Sequence, residues 1–160
     1  MIKRQIAGWL IEFNKDATEK AYAALPLDMG CTCNTCRNYS AAIPGCPDEV
    51  RTFFEELGVD LAKPAEVYDL GFEINPGLCG GFYHIVGNYL SGNDVLQPVT
   101  KDQCPKKEVE DFKIADGYQV GFTQNIALVP EGFPRPVLQM TIYFDLPWVL
   151  NEPYDDWKNE

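Results

Sequence analysis

Basic residues are scarce in this chain. Thirteen Lys and Arg stand against 24 Asp and Glu, a formal net charge of −11. Such a field repels a polyanion, which argues against nucleic acid and anionic membrane surfaces as partners. A cation or a basic protein is easier to accommodate, and plain solubility is the simplest use of the charge. Long apolar runs are also lacking, since no stretch approaches the roughly 20 apolar residues that a membrane-spanning helix needs. In "MIKRQIAGWLIEFNKD" only Ile6 to Ile11 is free of charge before Glu12. That run is shorter than the core of a secretory leader, and no small-residue cleavage site follows it. The expectation is a cytoplasmic protein whose thiols stay reduced. Histidine occurs once, at His84. Repeats and low-complexity tracts are absent.

What the chain does have is enough apolar material to fold unaided. Hydrophobic residues make up 46% and charged residues 23% of the 160, a balance that argues against disorder. A chain of this length buries roughly 70% of its unfolded surface, so its core needs neither disulfide nor metal. One domain over residues 1–150 is expected, with 151–160 an acidic, loosely held tail.

The hydrophobic period divides the chain into a helical first half and a stranded second half. Ile6, Trp9, Leu10 and Phe13 fall at i, i+3, i+4 and i+7, the spacing of one helical face. The competing reading takes "QIAGWLIEF" as a strand, because Gly8 weakens a helix by about 1 kcal/mol relative to Ala. "DATEKAYAA", 16–24, continues that helix or forms a second one, and Pro26 ends it. In "PDEVRTFFEELG" Pro47 sits where a first-turn proline belongs, with Asp48 and Glu49 near the positive end of the dipole. Val50, Phe53, Phe54 and Leu57 make its apolar stripe, and Gly58 supplies the stop. "KPAEVYDL" reads as one helical turn begun by Pro64. From residue 78 the period becomes two. "GFYHIVGNYL", "YQVGFTQNIALV" and "VLQMTIYFDLPWVL" read as strands, the last two joined as a hairpin through "PEGFPRP". In the last strand Leu138, Met140, Ile142, Phe144 and Leu146 face one way, as on a half-buried antiparallel strand. Pro147 points to an edge position or a bulge, and 91–110 reads as a long loop. The predicted fold is α+β, with an antiparallel sheet from the C-terminal half covered on one face by N-terminal helices.

The chemical feature of the sequence is "MGCTCNTCRNYSAAIPGCP". It places Cys31, Cys33, Cys36 and Cys46 within sixteen residues. Three readings compete. Thiolates are soft ligands suited to Zn2+, which takes four in a tetrahedron. A C-x-C step followed by C-x-x-C can turn three sulfurs to one centre, with Cys46 or His84 as the fourth ligand. The pattern lacks the second C-x-x-C of a paired zinc knuckle. In the redox reading, Cys33 begins a helix over "NTCRNYSAAI". The dipole there favours a thiolate, with Cys36 as resolving thiol and Cys31 as a spare. No apolar strand leads into the motif, so a thioredoxin-like setting is not supported. In the third reading the thiols are small buried hydrophobes. Cys79 and Cys104 are isolated and read as structural or incidental.

The remaining candidates favour plain roles. His84 shares a strand face with Phe82 and Val86, as a satisfied core histidine would. Cys79 and His84 are an odd number of residues apart, which puts them on opposite faces of one strand. "GLCGG" lacks the lysine and following helix of a phosphate loop. Glu55-Glu56 and Asp155-Asp156 read as solvated surface. Tyr83, Tyr89, Tyr118 and Tyr143 either line a groove for a small ligand or finish the core.

The run "CNTCRNYSAAIP", then "PDEVRTFFEELGVDLAKPAEVYDL" and later "GFYHIVGNY" and "LPWVL", resembles an uncharacterised family of small bacterial proteins over roughly residues 30 to 150. The resemblance implies no activity, cofactor or catalytic residue. The leading expectation is a small binding module with a structural zinc site on Cys31, Cys33, Cys36 and Cys46. The alternatives are a thiol-disulfide oxidoreductase using Cys33 and Cys36, and an acidic protein that binds a basic partner in the manner of an inhibitor or immunity protein.

Overall fold

The computed structural model describes residues 1–27, 31–71, 75–96 and 111–152. Strands β1 (Ile2–Ile6) and β2 (Trp9–Phe13) are followed by helices α1 (Lys15–Ala24), α2 (Asn34–Ala42) and α3 (Asp48–Leu57). Then come β3 (Glu66–Asp69), β4 (Leu78–Ser91), β5 (Phe112–Ala115), β6 (Tyr118–Thr123) and β7 (Val137–Asp145). The seven strands form one antiparallel sheet in the order β1-β2-β4-β7-β6-β5, with β3 also paired to β4. The α+β class is as the sequence indicates, but the sheet also recruits the N-terminus. Among the described residues no helix is long and apolar enough to cross a membrane.

The helix expected over Ile6 to Phe13 is instead the β1–β2 hairpin. Ile6 pairs with Trp9, leaving Ala7 and Gly8 as its two-residue tip, and Ala7 takes a left-handed φ of 50°. Trp9, Ile11 and Phe13 are buried while Leu10 and Glu12 are half-buried, an alternation of period two. Gly8 thus lies in a turn and not in a helix interior, and the left-handed position of that turn falls on Ala7. The turn expected at "KPAEVYDL" is also corrected. Residues 66–69 are strand β3, hydrogen-bonded to Cys79–Phe82 of β4, where Val67 and Tyr68 suit a pleated surface.

Helix α1 starts at Asn14, whose side chain accepts from the Ala17 amide. Helix α3 is as read from the sequence. Val50, Phe53, Phe54 and Leu57 are buried, and Gly58 closes it at φ 81° with its amide on Glu55 and Phe54 carbonyls. Helices α2 and α3 lie on one face of the sheet. Tyr39 reaches Tyr83, and Phe54 packs edge-on against both Tyr83 and Phe144. The alternating set Leu138, Met140, Ile142 and Phe144 meets that helical layer, and all four are at most 4% exposed. Strand β7 is central, between β4 and β6, and Pro147 follows its end. The hairpin of β6 and β7 is present, as expected. Strand β5 lies beyond the long loop read from 91–110, of which residues 97–110 fall outside the described residues. Most of the expected tail does as well.

One edge of β4 is shared. Strand β3 covers Cys79 to Phe82 and β2 covers Gly87 to Ser91. The gap between them is filled by side chains of α1. The Tyr22 hydroxyl donates to the His84 carbonyl (2.7 Å) and accepts from the His84 amide (3.1 Å). Thr18 Oγ1 accepts from the Val86 amide at 3.1 Å. Two side chains thus satisfy the ladder groups that a strand would otherwise pair, as buried backbone polar groups require.

Candidate metal centre

The C-x-x-C step becomes the first turn of α2. Cys33 is its N-cap, with extended backbone, and its Sγ accepts from the Cys36 amide at 3.4 Å. N-cap and N3 side chains meet at the start of any helix, so this spacing converges without tertiary help. Cys31, two residues earlier, folds back until its Sγ is 3.1 Å from that of Cys33. The three sulfurs of Cys31, Cys33 and Cys36 lie within 4.8 Å of one another. Cys31 and Cys33 are exposed and Cys36 is buried, with its Sγ 4.0 Å from the Val67 carbonyl of β3. The cluster therefore joins the start of α2 to the sheet edge. Arg37, one turn into α2, bonds Asn34 and Glu152, each at 2.9 Å.

Burial pushes the Cys36 thiol well above its ordinary pKa, and its hydrogen bonds to Cys31 and Cys33 push it further. The Cys36 thiol therefore holds its proton firmly. A cation that draws all three sulfurs must displace that proton. Tetrahedral thiolates about 2.3 Å from Zn2+ are about 3.8 Å apart. The Cys31–Cys33 contact must open by under about 1 Å to reach that, and both side chains are exposed. The donor set is soft throughout and fits Zn2+ or another thiophilic cation.

The fourth expected ligand is elsewhere. Cys46 follows a 3-10 turn, Ile43–Gly45, at the far end of α2. At about 1.5 Å per residue, the nine residues of α2 carry the chain some 13 Å from the cluster. Cys46 is 4% exposed in the main core, and burial raises its pKa. It is a core residue. His84 also lies outside the cluster: among the described residues, the grouping of potential ligands contains Cys31, Cys33 and Cys36. The imidazole is buried, its Nε2 is 2.8 Å from the Ala127 carbonyl, and its ring lies edge-on to Phe82 and Phe133. Burial lowers its pKa, so it is the satisfied, neutral histidine that the strand pattern favoured. Cys79 is buried, and its thiol is pushed up to about 12, chiefly by burial. Cys104 lies outside the described residues. Of the tyrosines considered as a groove, Tyr83 and Tyr118 are buried and Tyr143 is partly exposed on the opposite sheet face.

Comparison with protein-family models, curated proteins and solved structures gives no match for this chain.

Proposed function

We propose that the protein is a small metal-binding module in which Cys31, Cys33 and Cys36 hold one thiophilic divalent cation, Zn2+ foremost. The convergence of three sulfurs within 4.8 Å carries this reading. The net charge of −11 favours a cation over an anion at the surface. With Cys46 in the core, three thiolates converge among the described residues, which leaves the fourth position to solvent or a bound molecule. That differs from the closed four-thiolate site of a purely structural zinc. The ion's role toward the fold is to fix the entry of α2, joining Cys31 ahead of the helix to its N-cap Cys33 and first-turn Cys36. Metal analysis of protein purified under reductant and without chelator tests it. One Zn2+ per chain, lost in Cys33→Ser and retained in Cys46→Ser, is expected. A sub-stoichiometric content in the wild type refutes it.

The redox alternative draws support from a separate observation, the exposed Cys33 at the N-cap of α2 with its sulfur on a backbone amide. Attack by a Cys33 thiolate on an external disulfide would expel one thiol and leave a mixed disulfide. Cys36 or Cys31 would then attack the Cys33 sulfur and release the second thiol, so that the protein's own dithiol is oxidised as the substrate is reduced. Turnover of a model disulfide, with an added dithiol to reduce the protein's disulfide after each cycle, that survives in Cys46→Ser but not in Cys33→Ser would favour this alternative over the metal.

A further inference from the structure

A cavity of about 240 Å3 lies between the C-terminal end of α1 and the loop that precedes β7. Its wall sets Leu25, Leu128, Pro130 and Phe133 beside the polar rings of Tyr22 and His84 and one full charge, Lys63; among the described residues no acidic one lines it. The Lys63 ammonium donates to the Tyr22 carbonyl (2.7 Å) and the Leu25 carbonyl (2.8 Å). It thereby caps a helix whose last turn has no basic residue of its own. An ammonium has three N–H donors, and two are used. Among the described residues no carboxylate pairs with it. The rim is held in a set shape. Ala127 is pinned from both sides, its carbonyl by His84 Nε2 (2.8 Å) and its amide by Gln139 Oε1 (2.9 Å). The next residue, Leu128, takes a left-handed φ of 54° and is 65% exposed beside the opening. A non-glycine residue in that conformation is uncommon, and such strain is found at ligand clamps.

We propose that this cavity binds a small carboxylic acid with an apolar body. The carboxylate takes the remaining Lys63 donor, and the body lies among Leu25, Leu128, Pro130 and Phe133. A neutral apolar molecule would waste the charge, and an amine would be repelled by it. At about 30 Å3 per water-sized group, the volume holds about eight heavy atoms, the size of hexanoate. It lies just under the range of about 300–1,000 Å3 of drug-sized pockets.

The test is an NMR titration of the full chain with hexanoate, 1-hexanol and hexylamine at constant pH and salt. A hydrogen bond to a charged group should make hexanoate bind about tenfold or more tightly than 1-hexanol, with shifts at Leu128 and Phe133. Hexylamine should bind more weakly than 1-hexanol. Lys63→Met should abolish the preference for the acid, and Lys63→Arg should keep it. Because Lys63→Met also uncaps α1, Leu128→Ser at the rim serves as an independent variant, expected to weaken hexanoate about threefold or more by loss of apolar contact. Absence of hexanoate binding, binding no tighter than that of 1-hexanol, or a preference that persists in Lys63→Met overturns the proposal. The metal reading stands or falls separately.

Discussion

Replacing Cys33 and Cys46 one at a time by serine separates a ligand from a core thiol. Cys33 is exposed and caps α2. Serine is a preferred N-cap residue and accepts the same amide hydrogen bond. Metal-free Cys33→Ser should therefore lie within about 0.5 kcal/mol of the metal-free wild type. What it loses is the thiolate. If Zn2+ binds only the folded chain, free ion at 100 times the dissociation constant stabilises it by about 2.7 kcal/mol. At about 2–4 °C per kcal/mol for a chain of this size, the wild-type Tm should rise by about 5–11 °C on zinc addition. Cys33→Ser should show a small fraction of that rise. Cys46 is 4% exposed in the core, and a hydroxyl without a partner there costs about 1–3 kcal/mol. Cys46→Ser should therefore melt lower in chelator yet keep the full zinc-dependent rise. Thermal unfolding of the three proteins with zinc and with chelator decides the matter. An equal zinc response in Cys33→Ser and wild type, or no response in the wild type, would refute the reasoning.

Three more outcomes follow from the fold. Tyr22→Phe strips the amide and carbonyl of His84 of their partner in the gap of the β4 edge. It should cost about 2 kcal/mol or more in urea unfolding, and a change below about 0.5 kcal/mol would show that water fills the gap. Gly58→Ala places a Cβ 2.6 Å from the Lys15 carbonyl at a left-handed φ, so a loss of about 1–2 kcal/mol is expected; a neutral result would mean the α1–α3 junction yields. His84 has its pKa lowered by burial below the 6.5 of an exposed histidine. The unfolded chain gains a proton as pH falls through about 6.5 while the folded chain stays neutral, so stability is full above that pH and declines below it. Unfolding midpoints at about pH 7.5 and about pH 5.5 should therefore fall further in the wild type than in His84→Gln, and equal falls would count against the assignment.

The sequence by itself determined the features whose signal is local. Helix α3 announced itself through its stripe, acidic first turn and terminal glycine. Strand β7 did so through strict alternation, and the convergence of Cys33 with Cys36 follows from helix-start geometry. The N-terminal hairpin was ambiguous for a definable reason. Trp9 and Phe13 are four residues apart, a separation that fits one face of a helix and one face of a strand equally. The residues that break the tie, Leu10 and Ile11, do so only once a sheet exists to bury Ile11. Strand β3 likewise depends on the open edge of β4. Tertiary structure decided that Cys46 joins the core and not the cluster, because its burial depends on the packing of the helices against the sheet. It also brought Lys63 to the carbonyls of Tyr22 and Leu25, 41 and 38 residues away in sequence. Contacts at that separation follow from how the layers pack, and no local period records them.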